Sequence, residues 1–131
     1  MDHALAEALA PVLTDLAHAG APVPQVRDRQ WSDFPGQMTA MLHAADGTAQ
    51  GVSVMADEPL AARVASVADQ VQEWAVEALW RAGQPATWPE CPRHPGSHPL
   101  SATLVEDGAQ WACPRTGQVV GVIGRLPVPP G

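Results

Sequence analysis

The sequence contains no lysine and no tyrosine, so all seven of its basic residues are arginines. Fourteen acidic residues bring the formal net charge to −7 at pH 7. Eleven of these acids and four arginines lie within residues 1–85, whereas the charges of residues 86–131 balance. An acidic surface repels phosphate groups and anionic lipid. The composition therefore disfavours nucleic acid and membrane surfaces as partners.

Long hydrophobic runs are also missing. No stretch reaches 18 consecutive apolar residues, so the sequence predicts no membrane-spanning helix. The first twenty residues lack the positively charged start of a signal peptide and carry Asp2, Glu7 and Asp15. We therefore expect a cytoplasmic protein. In that reducing compartment, the two cysteines, Cys91 and Cys113, are better explained as thiols or metal ligands than as a disulfide.

The first predicted element is a helix over residues 3–19. Leucine and valine side chains recur there at helical spacing, and Gly20 provides a stop. Pro11 lies inside this pattern, where it removes one backbone hydrogen bond and crowds the carbonyl of Glu7. The helix therefore either kinks at Pro11 or begins there.

Three strands are predicted next, because apolar and polar residues alternate over residues 25–31, 37–44 and 48–56. Phe34-Pro35-Gly36 predicts the turn between the first two strands. Asp46-Gly47 predicts a hairpin between the second and third, since both residues tolerate positive φ.

The longest predicted element is a helix over residues 60–81. Asp57-Glu58-Pro59 precedes it, and an acid at this position is expected to cap the first backbone N–H groups. Apolar side chains follow at spacings of three and four, which suits either a sheet-packing face or a coiled-coil seam. We favour sheet packing because a hairpin directly precedes the helix. Homo-oligomerisation through residues 60–81 is the alternative that the seam would imply.

These elements predict an α+β fold with two parts. Residues 1–85 form an α-β-β-β-α body whose antiparallel sheet packs on the long helix, and residues 86–131 form a small β tail. The order of the body recurs in double-stranded-RNA-binding domains and in small acidic secretion chaperones. The lack of lysine argues against the first family, and the second is similar in size, acidity and topology alone. Residues 1–85 carry no motif of a known family.

Two Cys-Pro turns mark the tail. The first runs from Cys91 to His94, and it has the spacing of a zinc knuckle, in which a second ligand three residues after the thiolate faces the same metal. A predicted hairpin over residues 102–112 leads to Cys113, which opens the second turn, and a last strand follows over residues 119–123. Residues 86–131 contain too few large apolar side chains for packing alone to order the segment, whereas a bound metal can order it. A metal-free loop, or a disulfide in an exported protein, remains the alternative.

Residues 88–126 resemble a degenerate zinc ribbon, a family whose pattern is two Cys-Pro-x-Cys knuckles joined by β-strands. Cys91 and Cys113 match the leading cysteines of the two knuckles. His94 matches the second ligand of the first knuckle. A tryptophan precedes each Cys-Pro turn, and the resemblance covers about a quarter of the chain.

The second knuckle departs from the family pattern. Thr116 stands where that knuckle would supply its last ligand, and a threonine hydroxyl does not replace a thiolate. His98 is the nearby candidate for the fourth place. The resemblance thus implies a structural Zn²⁺ held by Cys91, His94, His98 and Cys113.

From these features we expect a small zinc-stabilised protein that acts by binding a protein partner, as an adaptor or a chaperone-like protein. A ligand set that looks closed and an acidic body motivate this expectation. No Gly-rich phosphate loop precedes a helix, and no serine has the surroundings of a nucleophile elbow.

Two other classes of function stay open. If His98 did not coordinate, zinc would keep an open position for water, with Glu90 or Glu106 as a candidate base, as in a metal-dependent enzyme. A nucleic-acid-binding zinc ribbon is the third class. Its binding face would combine Trp88 and Trp111 with the three arginines of the tail, Arg93, Arg115 and Arg125.

Overall fold

A computed structural model describes residues 2–106 and 108–127. Its elements, in chain order, are α1 (His3–His18), β1 (Gln25–Asp28), β2 (Gln37–His43), β3 (Ala49–Met55), α2 (Leu60–Arg81), β4 (Ser101–Val105), β5 (Gly108–Ala112) and β6 (Val119–Val122). The strands form two antiparallel sheets with the orders β1-β2-β3 and β4-β5-β6. The predicted mixed α+β class is therefore confirmed.

Helix α1 begins at its predicted start and is not shortened by its proline. The side chain of Asp2 accepts a hydrogen bond of 2.8 Å from the backbone N–H of Ala4, which caps the first turn. The helix continues through Pro11 to His18, so the alternative that it begins at Pro11 is wrong. The cap and the buried leucines of this helix outweigh the single backbone bond that proline removes. The chain then turns at Gly20, whose φ is 69°.

The first sheet contains the predicted hairpin. Strands β2 and β3 pair along their whole length, and the Asp46 carboxylate accepts a 2.9 Å hydrogen bond from the N–H of Thr48 in the connecting turn. Gly47 takes a φ of 91°, as this turn requires. The inward face of the two strands buries four small or branched side chains, Ala40, Leu42, Val52 and Val54.

Strand β1 is shorter than the sequence predicts. It ends at Asp28, three residues before the predicted end at Trp31. The indole of Trp31 instead donates a 3.0 Å hydrogen bond to the carbonyl of Ala40. Its ring lies against Gly51, where an added Cβ would come within 3.0 Å of it. Trp31, which the alternating pattern placed at the end of the strand, therefore lies outside the strand and covers the sheet with its ring.

Helix α2 has the predicted bounds but not the predicted cap. Its N-cap is Pro59, which makes no side-chain hydrogen bond, so the acidic cap expected from Asp57 and Glu58 is wrong. The extended conformation of Pro59 already directs the chain into the helix, and the carbonyl of Glu58 accepts a bond from the Arg63 side chain. Helix α2 contacts α1, β3, β4 and β5. Neither helix in the described part of the chain is long and apolar enough to cross a membrane.

Two glutamines on α2 connect the helix to both sheets. The Gln70 amide accepts a 3.0 Å bond from the N–H of Ser53 and donates a 2.8 Å bond to its carbonyl, so it pairs with the outer edge of β3. Gln72 donates to the carbonyls of Trp88 and Leu100 in the tail. The long helix thus holds the body sheet with one side chain and the start of the tail with another.

The tail is also attached to α1 through a buried carboxylate. Asp15 is 1% exposed. Its oxygens accept hydrogen bonds of 2.9, 2.8 and 3.0 Å from the Trp111 indole and from the backbone N–H groups of Gly124 and Leu126. The buried residues of body and tail form one hydrophobic cluster, which includes both Leu5 of α1 and Trp111. The division of the chain at residues 85 and 86 into two domains stays a prediction.

Candidate metal centre

The first Cys-Pro turn lies in a loop that is closed at its base. Glu90 and Pro99 form an isolated antiparallel bridge, and the N–H of Leu100 donates a 2.7 Å bond to the carbonyl of Pro89. This closure places Cys91 and His98, the first and last residues of the loop interior, at the same end. The amide of Gln72 holds both flanks of the loop through the carbonyls of Trp88 and Leu100.

Two successive turns fill the loop between Cys91 and His98. The N–H of His94 donates to the carbonyl of Cys91, and the N–H of Ser97 donates to the carbonyl of His94. The Glu90 carboxylate accepts a 2.8 Å bond from the N–H of Gly96, which fastens the tip of the loop to its base. The turns bring His94 to the same side of the loop as Cys91 and His98.

The second Cys-Pro turn connects β5 and β6. The N–H of Gly117 donates a 2.8 Å bond to the carbonyl of Cys113, and the N–H of Cys113 donates to the carbonyl of Gln118. Gly117 has a φ of 76°, which favours glycine in this tight turn. Strand β5 thereby places Cys113 beside the three candidate ligands from the first loop.

The structure brings together all four residues that the sequence indicates as ligands. One nitrogen or sulfur atom of each lies within 4.8 Å of the others, and the group could hold a metal ion. His94 Nδ1 lies 3.6 Å from the sulfur of Cys91, 3.6 Å from that of Cys113 and 3.0 Å from Nε2 of His98. His98 Nε2 lies 3.9 Å from the Cys113 sulfur. Both cysteines are buried and free, and both histidines are half-buried.

These separations fit the edges of a tetrahedral zinc site. With bonds of about 2.3 Å to sulfur and about 2.0 Å to nitrogen, the tetrahedron has sulfur–nitrogen edges of about 3.6 Å and a nitrogen–nitrogen edge of about 3.3 Å. The four separations given above, of the six edges in such a tetrahedron, are each within about 0.3 Å of the ideal value. The two thiols and two imidazoles are also ligands that zinc prefers.

The tautomer of His98 suits a metal ligand. Its Nδ1 lies 3.0 Å from the carbonyl oxygen of Pro99. A carbonyl can only accept, so Nδ1 carries the proton and donates it. In the neutral ring, Nε2 then has a free lone pair that faces the group. A backbone carbonyl that fixes the tautomer of a histidine is the usual second partner of a metal-bound imidazole.

Hydrogen bonds favour the thiolate form of Cys113. Burial raises the pKa of this thiol, but hydrogen bonds from the hydroxyl and N–H of Thr116, from the N–H of Arg115 and from Cys91 outweigh burial and lower the pKa to about 6. N–H groups two and three residues after the cysteine thus point at its sulfur, as in a zinc knuckle. A thiolate at neutral pH is the form that binds metal.

Thr116 is therefore a supporting residue of the site. The sequence correctly indicates that its hydroxyl cannot replace a thiolate ligand, but it does not show what the hydroxyl does instead. The hydroxyl oxygen accepts a 3.2 Å bond from the N–H of Gln118 and donates to Cys113. It therefore orders the turn and stabilises the charge on the sulfur.

Other residues considered from the sequence lie outside this group. The Glu90 carboxylate is bound to its own loop, and Glu106 is not part of the ligand group. The three arginines of the tail are exposed to solvent; they are Arg93, Arg115 and Arg125. Trp88 and Trp111 are both buried and pack edge to face, with ring centroids 5.4 Å apart. The two rings belong to the same buried cluster as Cys91 and Cys113.

Sequence reasoning missed two residues that position the site. Asp15 lies three residues after Val12 on the buried face of α1. An acidic residue within an apolar stripe of a helix could have indicated a buried, hydrogen-bonded carboxylate. Gln72 has no comparable signal, because a polar residue on the border of a helix face is ordinary. Comparison with known proteins finds no matching family model, no similar curated protein and no similar solved structure.

Proposed function

We propose that this chain is a zinc-stabilised protein in which Zn²⁺ has a structural role and orders the tail. The observation that carries the proposal is the group of four ligand atoms within 4.8 Å of one another. Four protein ligands complete a tetrahedral zinc site and leave no position for a substrate or a reactive water. In a tail with few large apolar side chains, a structural zinc supplies order that packing alone does not.

Binding to a partner protein is the activity that we propose for the stabilised fold. Of the six aromatic side chains other than histidine, Phe34 and Trp80 are 63% and 74% exposed. Tryptophan and phenylalanine are enriched at the contact surfaces of protein complexes, where they act as rigid anchors. The acidic surface, with a net charge of −7, favours basic partners.

Native mass spectrometry of the purified chain tests the metal. We expect one zinc per chain with both thiols reduced. His98→Gln should weaken zinc retention in competition with a chelator, whereas His43→Gln, which alters a histidine on β2 outside the ligand group, should not. A metal-free mass with free thiols would contradict the proposal.

Cobalt substitution separates the structural role from the enzymatic alternative. A closed set of four ligands should give a tetrahedral Co²⁺ spectrum that does not respond to pH between about 7 and 9 or to small anions, because no water is bound. A spectrum that shifts with azide or with pH would show an open position and would support a metal-dependent enzyme instead.

A further inference from the structure

The two cysteines of the chain are direct neighbours in space. They are the only cysteines in the sequence, and both are free thiols. The Cys91 thiol donates a hydrogen bond to the Cys113 sulfur, and both sulfurs belong to the group whose ligand atoms lie within 4.8 Å of one another. A disulfide bond joins two sulfurs at about 2.05 Å. Because no third thiol competes, a disulfide formed within this chain has only one possible pairing.

Both cysteines lie outside the regular elements. Cys91 directly follows the bridge residue Glu90, and Cys113 directly follows the last residue of β5. A proline and a turn come after each of them. A closer approach of the two sulfurs therefore changes side chains at the ends of turns, and it breaks no hydrogen bond within a helix or between paired strands.

The histidines form the solvent-facing side of the ligand group. Cys91 and Cys113 are buried, whereas His94 and His98 are half-buried. His94 Nδ1 lies 3.6 Å from each of the two sulfurs, so this one ring covers both of them. Displacement of the His94 ring therefore gives a small oxidant such as hydrogen peroxide access to both sulfurs at once.

We propose that the ligand group is a redox switch, in which a peroxide converts the Cys91 and Cys113 thiolates into one disulfide and the chain releases its zinc. One thiolate attacks a peroxide oxygen, the O–O bond breaks, and a sulfenic acid and a hydroxide form. The other thiolate attacks the sulfenic sulfur, the S–S bond forms, and a second hydroxide leaves. Two protons convert the hydroxides into water, so the two thiolates lose the two electrons that the peroxide gains. This inference rests on the proposed function, because the reduced form is the zinc-bound form.

The oxidised chain lacks two of the four metal ligands. A thiolate is the form of cysteine that binds metal, and a disulfide sulfur carries no negative charge. The new bond still joins the first loop to the turn after β5, so we expect the tail sheet to stay ordered. The part of the loop over residues 92–98 contains both histidines, and it loses its attachment to the metal. The switch should therefore change this loop and leave the sheet in place.

Hydrogen peroxide added to the zinc-loaded full chain tests the proposal. A zinc-binding dye records the released metal, and mass spectrometry of the chain and its proteolytic peptides identifies the products. We expect one zinc released for each Cys91–Cys113 cross-link, and full recovery after treatment with dithiothreitol and zinc. The half-buried Met38, Met41 and Met55 provide an internal comparison, and their oxidation should come after the loss of the thiolates, which are the stronger nucleophiles.

Three results of this experiment would each overturn the proposal. They are zinc that stays bound while the methionines are oxidised, cysteine sulfinic acid in place of the disulfide, and a disulfide between two chains. Hydrogen exchange of the oxidised chain should show that residues 92–98 lose protection and that β4, β5 and β6 keep it. Loss of protection throughout the tail sheet would mean that peroxide unfolds the tail and does not switch it.

A variant that keeps both sulfurs separates their role from that of the histidines. His98→Gln removes one ligand, and it should form the same cross-link at a lower peroxide concentration because the redox step needs the sulfurs alone. His43→Gln, on β2 outside the ligand group, should respond to peroxide as the parent chain does. A His98→Gln chain that forms no Cys91–Cys113 cross-link would overturn the proposal.

Native mass spectra recorded before peroxide is added distinguish the two proposals. One zinc per chain that peroxide does not release would remove the redox switch and leave the zinc-stabilised fold in place. A chain without zinc and with both thiols reduced would remove the proposed function, and the switch with it.

Discussion

The body sheet and the tail sheet are stabilised by different kinds of interaction. Strands β2 and β3 bury aliphatic side chains against two helices, and their hairpin is local in sequence. The tail sheet has one large buried side chain, Trp111, whose indole bonds to Asp15, 96 residues away in sequence. The loop that precedes the tail sheet is held by Gln72 and contains three of the four predicted ligands.

The difference shows how a small sheet can be ordered without a core of its own. Hydrophobic burial is spread over many contacts, so one substitution in the body removes a modest part of it. The tail depends on a few directional interactions, and the loss of one leaves buried polar groups without partners. Substitution of a zinc ligand or of Asp15 should therefore cost more than single substitutions in the body, and four experiments compare the two regions.

The largest effect is expected from Cys113→Ser. A structural zinc is worth about 10–16 kcal/mol in small peptides, so its loss should lower the free energy of opening the tail by roughly 5 kcal/mol or more. Hydrogen exchange should show the amides of β4, β5 and β6 unprotected and those of β2 and β3 still protected. Arg93→Ala, an exposed change in the first loop, serves as the control and should leave both sheets protected. Equal loss of protection in both sheets would show that body and tail unfold as one unit.

Asp15→Ala should give the next largest effect. It removes the acceptor of three N–H groups, one of which is the buried indole of Trp111. A buried donor without a partner costs about 1–3 kcal/mol, so we expect a loss of about 3–5 kcal/mol in the free energy of unfolding measured by urea denaturation. Asp69→Ala, which changes an exposed acid on α2, should alter that free energy by less than about 0.5 kcal/mol. A small effect of Asp15→Ala would contradict the attachment of the tail to α1.

A smaller and more local effect is expected from two matched substitutions on α2. Gln72→Ala removes the donor for two carbonyls of the tail, and Gln70→Ala removes the partner of Ser53 on the edge of β3. Each should cost about 1–2 kcal/mol. Hydrogen exchange should locate the first loss in the metal-ligand loop and the second in β3. Identical exchange patterns in the two variants would mean that the glutamines do not act on separate sheets.

The smallest effect is a shift in pH dependence caused by Thr116→Ala. The pKa of Cys113 is about 6 in the folded chain, against an ordinary value of 9.0. A lowered pKa stabilises the folded state fully above pH 9, and that contribution disappears as the pH falls through 6. The metal-free chain should therefore become more stable from pH 6 to 9. The variant lacks the hydroxyl that lowers the pKa, so this increase should be smaller.

Zinc provides a second measurement of the same substitution. Protons compete with zinc for the Cys113 sulfur, so the pH at which half of the zinc is released should be higher in Thr116→Ala than in the parent chain. Zinc affinity at neutral pH should also fall, because a supporting hydrogen bond of a ligand is lost. An unchanged release profile would show that the hydroxyl does not act on the thiolate.

In the body, the corresponding pH dependence lies at a different pH. Hydrogen bonds from the Thr48 side chain and N–H, with the Arg81 guanidinium, lower the pKa of Asp46 to about 2. The stabilisation from this group is present above pH 3.8 and is lost as the pH falls towards 2. A pH titration therefore separates the body from the tail.

The local pattern of apolar, polar and turn-forming residues was sufficient to predict most of the helices and strands. Helix α2 has the bounds that its apolar spacing predicts, and the hairpin at Asp46 and Gly47 forms where both residues favour it. The predicted end of the first strand at Trp31 was wrong, because alternation of apolar and polar residues does not distinguish a strand from a side chain that folds over a sheet. The prediction of an acidic N-cap for α2 was wrong because Pro59 occupies the cap position.

The candidate ligands could be named from spacing, but the groups that position them could not. Cys91 and His94 are three residues apart, so one turn explains their proximity. Asp15 and Gln72 contact residues that are far apart from them in sequence. The spacing of apolar residues is a local pattern and cannot predict such contacts. The role of Thr116 could be recognised only from the geometry of its turn, because residue types alone do not show that its hydroxyl donates a hydrogen bond to the Cys113 sulfur.

A structural role for zinc requires four protein ligands at one ion, and X-ray absorption at the zinc edge measures the number of ligands most directly. We predict two sulfur neighbours at about 2.3 Å and two nitrogen neighbours at about 2.0 Å, from Cys91, Cys113, His94 and His98. The shell should not change between about pH 7 and 9, because no bound water is available to ionise. A sample without zinc, or a shell with a fifth light atom or a single sulfur, would contradict a structural zinc held by these four residues.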